Sequence, residues 1–208
     1  MAVLSLLSKG KVLKKLFDIV FAFFGLILVL PLFLALAILI KRESPGPIFY
    51  RGVRIGKEGK PFRIFKFRTM VLNAEKLGGT STAADDPRLL KIGHFLKKYQ
   101  LDELPQLINV LKGEMSFVGP RPEVKMYVDM MTEEERNAIL SIKPGMTDLA
   151  SVWNFHESEV LKGSSDPEKT YQEKIWPEKK RLQLEYVKNR SFLLDLKIIL
   201  KTILKIFQ

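Results

Sequence analysis

The chain has no cysteine and only 2 histidines among its 208 residues. Disulfides, thiolate metal sites and cysteine nucleophiles are therefore excluded, and a multi-histidine metal cluster goes with them. Neither histidine lies near a nucleophile motif, so a serine triad has no support, and His94 reads as a helix-surface residue. Glycine-rich phosphate loops are missing too: there is no GxGxxG. Gly56-Lys57-Glu58-Gly59-Lys60 lacks the spacing and the hydroxyl of a P-loop. No internal repeat is present.

What the chain does have is an excess of positive charge, 34 Lys plus Arg against 23 Asp plus Glu, for a net +11. A charge of that size implies an anionic partner: nucleic acid, membrane surface or phosphorylated substrate. The excess is uneven. Residues 1–18 carry +3, 41–70 carry +7 and 179–208 carry +6, while 71–178 carry −5. Basic ends and a basic stretch after an apolar block favour a membrane surface over a nucleic-acid groove. A length of 208 residues with 47% apolar and 27% charged residues fits one folded domain with an appendage.

The apolar block is Ile19 to Ile40, 22 residues without a charge. As a straight helix it would reach roughly 33 Å, enough to span a bilayer. Pro31 in its middle removes a helix hydrogen bond and clashes with the preceding turn. Both flanks are basic, Lys9 to Lys15 before and Lys41, Arg42, Arg51 and Arg54 after. A crossing segment cannot place both flanks on the positive side. The expectation is a re-entrant helix–break–helix hinged at Pro31, ahead of a single span. A signal peptide ending near Ala35-Leu36-Ala37 fits least, because the apolar run continues past it. From Phe192 to Phe207, Lys197, Lys201 and Lys205 recur every fourth residue beside Phe192, Leu196, Ile199, Ile203 and Phe207. That pattern is a basic amphipathic helix suited to a headgroup layer or to the protein's own core.

Between these ends the pattern predicts a mixed α+β domain, mostly helical. Ile48 to Ile55 and Phe62 to Thr69, joined by residues 56–61, read as a β-hairpin with a basic face. Residues 73–90 read as a polar, mobile loop. Helices are expected over Leu89 to Tyr99, Leu104 to Lys112, 133–142 and Glu173 to Asn189. The third opens on a capping-box spacing from Thr132, and the last carries a break at Pro177. Residues 154–170 read as a loop. The expected division is 1–43 basic segment and membrane helix, 44–190 catalytic domain, and 191–208 amphipathic helix.

The informative stretch is Leu101-Asp102-Glu103-Leu104-Pro105-Gln106, two adjacent acids at a helix start. Unpaired N–H groups and the helix dipole favour a carboxylate there, and the same groups suit a phosphate. The plainer reading makes Asp102 an N-cap and Glu103 a first-turn decoration. A second feature is Ser116-Phe117-Val118-Gly119-Pro120-Arg121-Pro122. Rigid backbone on both sides aims the Arg121 guanidinium, as a bidentate anion contact requires.

Together with Ser44-Pro45-Gly46-Pro47, Lys66-Phe67-Arg68-Thr69-Met70, Lys143-Pro144-Gly145-Met146-Thr147 and Tyr186-Val187-Lys188-Asn189, these segments resemble the bacterial sugar transferases. These are monotopic phosphoglycosyl transferases acting on polyprenyl phosphate. The resemblance implies transfer of a sugar-1-phosphate from a UDP-sugar to undecaprenyl phosphate, releasing UMP, with Mg²⁺. The setting it implies is the cytoplasmic face of the bacterial inner membrane, at the start of capsule, lipopolysaccharide O-antigen, exopolysaccharide or glycoprotein glycan synthesis. It implies Asp102 as the nucleophile that forms a phosphosugar–aspartyl intermediate. Glu103 would assist, the two acids being the candidate Mg²⁺ ligands. Lys66, Arg68, Lys97 and Arg121 are the implied phosphate or nucleotide contacts, and Pro31 the membrane hinge.

The implied partners are the UDP-sugar, polyprenyl phosphate and membrane lipids, with no specific nucleic acid and room for a homo-oligomer. Departures fall at Leu30, where the family often has serine, and at Asp148, Ser151 and Phe155, where it often has glycine, glutamine and arginine. These last three put the family's donor contacts in question and point to a subgroup with a different sugar. The competing class is a non-enzymatic basic module anchored at the membrane, binding anionic lipid or nucleic acid. It leaves the acid pair and the Pro-Arg-Pro turn unexplained.

Overall fold

A computed structural model describes residues 2–206. Its first element is one helix, α1 (Ala2–Glu43), with Pro31 inside it. The expected division into two helices at Pro31 is therefore not found. The packing shows why. Asp18, Ala22, Phe33, Leu36 and Ile40 are buried, with Gly25, Leu26 and Val29 half-buried between them. These positions recur at three and four residues, so a single stripe passes Pro31 in phase. Pro31 lies on the exposed side and removes one helical hydrogen bond. Val29 and Phe33, on either side of it, hold the helix to the rest of the chain. The outer face carries Phe24, Leu28, Leu30, Leu34 and Ile38, all exposed.

The expected hairpin follows in two pieces. β2 (Val53–Ile55) pairs antiparallel with β3 (Pro61–Arg63), and β1 (Phe49–Tyr50) with β4 (Lys66–Phe67). Residues 73–90, read as a mobile loop, are tied down. Arg88 pairs with Asp86 and donates to the Ala74 carbonyl, and the Ser81 N–H donates to Glu168. α2 (Lys91–Lys98) and α3 (Gln106–Leu111) match two expected helices. The Glu43 carboxylate, at the end of α1, accepts from the N–H groups of Lys91 and Ile92. It thereby caps α2 where the helix dipole favours an anion. Asn109 joins α3 to the hairpin: its amide oxygen accepts from the Phe65 N–H at 2.8 Å and its amide nitrogen donates to the Arg63 carbonyl at 3.0 Å.

Next come β5 (Ser116–Val118), α4 (Lys125–Asp129), α5 (Glu133–Ile139) and β6 (Gly145–Thr147). α5 opens on the expected capping box between Thr132 and Glu135. β5 and β6 pair in parallel, Ser116 with Gly145 and Val118 with Thr147. Then come α6 (Leu149–Trp153), α7 (Glu157–Val160) and α8 (Pro167–Thr170). The expected loop over 154–170 thus holds two short helices. The second is started by the Asp166 side chain, which accepts from the Lys169 N–H, and by Pro167 in its first turn. A π-helical turn, Tyr171–Ile175, leads into α9 (Trp176–Asn189), and Pro177 falls in the first turn of α9.

α10 (Phe192–Ile206) closes the described chain, and Phe207 lies outside it. Its buried line differs from the expected one. Asp195 and Ile198 are buried and Thr202 half-buried; of the expected line Phe192 and Ile199 are half-buried, while Leu196 and Ile203 are exposed with Leu193, Leu200 and Leu204. The cause is polar. The Asp195 carboxylate accepts from Tyr186 Oη at 2.6 Å and pairs with Lys14 of α1, and Thr202 Oγ1 shares a hydrogen bond with Thr147. The described chain is mostly helical, with three two-stranded sheets. Its apolar core lies under α1, between the hairpin, α3 and β5, and continues between α4, α5 and α9.

Candidate active site

Gln100 leaves α2 in the left-handed region, at φ 53°, and turns the chain into a 3-10 turn over Leu101–Glu103. Pro105 then precedes α3. This turn buries both acids, with Asp102 6% and Glu103 9% exposed. Asp102 does not act as an N-cap. Its carboxylate makes no hydrogen bond among the described residues, although it is almost fully enclosed.

Glu103 is the opposite case. Its carboxylate accepts from Lys66 Nζ of β4 at 2.7 Å, from Arg121 Nη1 at 3.0 Å and from Arg121 Nη2. The arginine contact is the bidentate fork that the Pro-Arg-Pro turn suggested. Two glycines make that turn fit. A side chain on Gly119 would place its Cβ 2.4 Å from the Lys143 carbonyl oxygen, and one on Gly145 would place it 2.1 Å from the Gly119 nitrogen. The Gly119-Pro120-Arg121 and Lys143-Pro144-Gly145 segments therefore press backbone on backbone, joined by the Gly145 N–H donating to the Pro120 carbonyl at 3.0 Å.

The surroundings push the two acids apart. For Glu103, burial works to raise the pKa, but Arg121 and Lys66 outweigh it and hold the carboxyl well below its usual range. For Asp102, burial wins and the pKa is raised, with Lys66, Lys97 and Arg121 only moderating it and ionised Glu103 adding to it. Burial also lowers the Lys66 ammonium, against the pull of Glu103. One acid is thus a fixed anion committed to two cations. Its neighbour is an uncommitted carboxyl. Divergent environments of this kind separate roles within an acid pair. Lys66, Lys97 and Arg121 against two carboxylates leave a positive excess, which fits an anionic ligand beside Asp102.

The sequence-predicted residues Lys66, Asp102, Glu103 and Arg121 therefore come together, with Lys97 near enough to act on Asp102 through its charge. Arg68 does not join them. Its guanidinium donates to the Pro45 carbonyl at 2.6 Å, the Ser44 carbonyl at 2.7 Å and Ser44 Oγ at 3.3 Å. It holds the Ser44-Pro45-Gly46-Pro47 turn at the end of α1.

No cluster of three or more metal-ligating side chains occurs among the described residues. Glu103 has both oxygens engaged by cations, so the carboxylate that fits Mg²⁺ is Asp102. An ion there would draw its other ligands from water and phosphate, as Mg²⁺ commonly does.

Sequence reasoning overlooked Asp148 as a site residue. It is fully buried and caps α6, its Oδ1 accepting from the Ser151 N–H at 2.7 Å and from Ser151 Oγ at 2.8 Å. Its other oxygen accepts from the backbone N–H of Arg121 at 3.1 Å. The Asp-x-x-Ser spacing was the available signal. The third departure, Phe155, is buried, and its carbonyl accepts from the Gln100 amide at 2.8 Å. Gln106 was missed as well. It is 1% exposed, and neither end of its amide has a partner among the described residues.

Comparison with known proteins assigns this architecture. The bacterial sugar transferase family matches residues 9–208. A provisionally named undecaprenyl-phosphate N-acetylgalactosaminyl 1-phosphate transferase of Bacillus subtilis is 46% identical over 135 residues, covering 65% of this chain and 71% of that one. A UDP-glucose:undecaprenyl-phosphate glucose-1-phosphate transferase of Escherichia coli is 35% identical over 95% of this chain and 41% of its own length. A UDP-N-acetylgalactosamine-undecaprenyl-phosphate N-acetylgalactosaminephosphotransferase of Aeromonas hydrophila is 37% identical over 92% of this chain and 43% of its own. The chain thus spans less than half the length of the last two. It belongs to the bacterial sugar transferase family, a family of enzymes.

Proposed function

We propose that the chain transfers a sugar-1-phosphate from a UDP-sugar to polyprenyl phosphate, through a covalent intermediate on Asp102. The observation that carries this reading is the contrast within the acid pair. Asp102 is enclosed, uncommitted and raised in pKa, beside a Glu103 held ionised by Lys66 and Arg121. A carboxylate stripped of water and of hydrogen bonds is a stronger nucleophile than a solvated one. The names of the relatives, which act on undecaprenyl phosphate with UDP-glucose or N-acetylgalactosamine donors, support the reaction class.

In the first half-reaction an Asp102 oxygen attacks the phosphorus that bears the sugar. The bond from that phosphorus to the bridging oxygen breaks, and UMP leaves with the electron pair. In the second, a phosphate oxygen of polyprenyl phosphate attacks the same phosphorus. The acyl-phosphate bond breaks and returns the Asp102 carboxylate, and the product is the polyprenyl-diphosphate sugar. Lys66 and Arg121, locked in place by Glu103, present fixed positive charge where the phosphates pass. Lys97 adds a third cation. Bound at Asp102 and the donor phosphates, Mg²⁺ would neutralise diphosphate charge.

The same reading gives the outer face of α1 and the exposed leucines of α10 a role as the lipid-facing surface. Both flanks of the apolar block in α1 are tied to one catalytic unit, Lys14 to Asp195 and Glu43 to α2. Both basic flanks then lie on one side of the membrane, the cytoplasmic side, as the charge argument required, with the unbroken α1 lying along the lipid and not crossing it. UMP release from UDP-sugars, with undecaprenyl phosphate and Mg²⁺, tests the reaction. Wild-type release that Asp102→Asn abolishes supports it. Full activity of Asp102→Asn overturns the mechanism.

A further inference from the structure

Beside Arg121 lies a small cavity between α6 and α9, lined among others by Gln100, Ala150, Asn154, Phe155 and Ile175. It is close to the reacting centre by two routes. Arg121, whose guanidinium clamps Glu103, is one of its lining residues, and Gln100 stands two residues before Asp102. Its volume is about 50 Å³. On that scale one water takes roughly 10–15 Å³, so there is room for about four water-sized atoms. A hexose ring is too large for it, and a single hydroxyl would leave most of it empty.

The lining defines the chemistry of the occupant. Its charged groups already have partners. Arg121 is paired with Glu103, and Lys179 with Glu123 at 3.0 Å and Glu157 at 3.8 Å. An ammonium or carboxylate entering the cavity would have to compete with these pairs. What is left over is a donor: Asn154 Nδ2 is buried with no partner among the described residues. The same lining includes the buried apolar residues Ala150, Phe155 and Ile175. A buried donor without an acceptor is costly, and a ligand carbonyl would remove that cost. The matching group is neutral, about four heavy atoms in size, with one carbonyl and one methyl.

We propose that this cavity receives the 2-acetamido group of the donor sugar, and that the chain selects an N-acetylhexosamine over the matching hexose. The inference rests on the phosphoglycosyl transfer proposed above. The stereochemistry agrees with it: C2 adjoins the C1 that carries the phosphate, so a substituent on C2 must lie close to the phosphorus that Asp102 attacks. The carbonyl oxygen would accept from Asn154 Nδ2, and the methyl would sit against Ala150 and Ile175.

The test compares kcat/KM for UMP release from UDP-N-acetylglucosamine, UDP-N-acetylgalactosamine, UDP-glucose and UDP-galactose. It uses the full chain in detergent or membrane, with undecaprenyl phosphate and Mg²⁺. Wild type is expected to favour one N-acetylated donor over its matched hexose by at least about tenfold, the scale at which small pockets discriminate. Asn154→Ala removes the donor, and Ala150→Leu fills the cavity. Each is expected to bring that ratio below about threefold, and a thermal melt confirms that each variant is folded. Equal or better use of the hexoses by wild type overturns the subsite, as does a preference unchanged in both variants. Failure of all four donors to release UMP removes the reaction reading itself and this inference with it.

Discussion

The backbone N–H of Arg121 donates to Asp148 at 3.1 Å, while the Arg121 guanidinium grips Glu103. One buried carboxylate therefore fixes the start of α6 and the base of the arginine together. Replacing Asp148 with alanine should remove an N-cap worth about 1 kcal/mol and loosen the aim of Arg121. The expected result is a lower thermal midpoint and a kcat/KM reduced about 10- to 100-fold. Asp148→Asn, which keeps an acceptor, should recover much of both. If the alanine variant loses stability while keeping wild-type kcat/KM, Asp148 is a cap and nothing more.

The acid pair should respond in opposite senses to neutral replacement. The ionised form of Asp102 is disfavoured by burial, so Asp102→Asn should hold or raise the melting temperature while abolishing turnover. Glu103→Gln leaves Lys66 and Arg121 facing a neutral amide, at a cost of roughly 1–3 kcal/mol. It should therefore melt earlier and turn over more slowly. Donor labelled in its sugar should leave a covalent adduct on wild type and Glu103→Gln when the acceptor is withheld, and none on Asp102→Asn. Equal labelling of Asp102→Asn would rule out the aspartyl intermediate.

The pH profile follows from the same shifts. Asp102 must be ionised to attack, and its pKa is raised above 3.8, so kcat/KM falls as pH drops through that raised value. Lys66 must be charged, and its pKa is lowered from 10.5, so an alkaline limb appears below the ordinary lysine range. Lys66→Arg should move the alkaline limb upward and leave the acid limb in place. An alkaline limb identical in both proteins would assign it to another group.

Local chemistry was legible in the sequence wherever it was local. The capping box at Thr132, the helix over Lys91–Lys98 and the hairpin ending at Phe67 all follow from short-range pattern. The approach of Asp102 to Lys66 and Arg121 followed from resemblance and not from spacing, because 36 and 19 residues separate them. The two sides of α1 were illegible. A uniformly apolar run carries no polar face, and only the fold shows that Ala22, Phe33 and Ile40 turn inward. Arg68 misled for the converse reason: an arginine at the end of a basic stretch does not reveal that its two terminal nitrogens are spent on Ser44 and Pro45. The buried line of α10 runs beside its apolar spacing because Asp195 and Thr202 organise it, and hydrophobic spacing ignores both.

The membrane topology is open to a direct measurement, because a chain without cysteine accepts single reporter cysteines. Lys15 and Lys41 are exposed and flank the apolar block on either side. If both ends of α1 stay with the catalytic unit, Lys15→Cys and Lys41→Cys should react with an impermeant thiol reagent from the same membrane face. Both should be protected from the other face until the membrane is opened. Leu28→Cys, on the outer side of α1 and 81% exposed in the folded chain, should resist the reagent in membranes and react in detergent, since lipid covers it. Labelling of Lys15→Cys and Lys41→Cys from opposite faces would mean that α1 spans the bilayer. The contacts of Lys14 with Asp195 and of Glu43 with α2 could not then both persist, because one end of the helix would lie across the membrane from the domain that holds it.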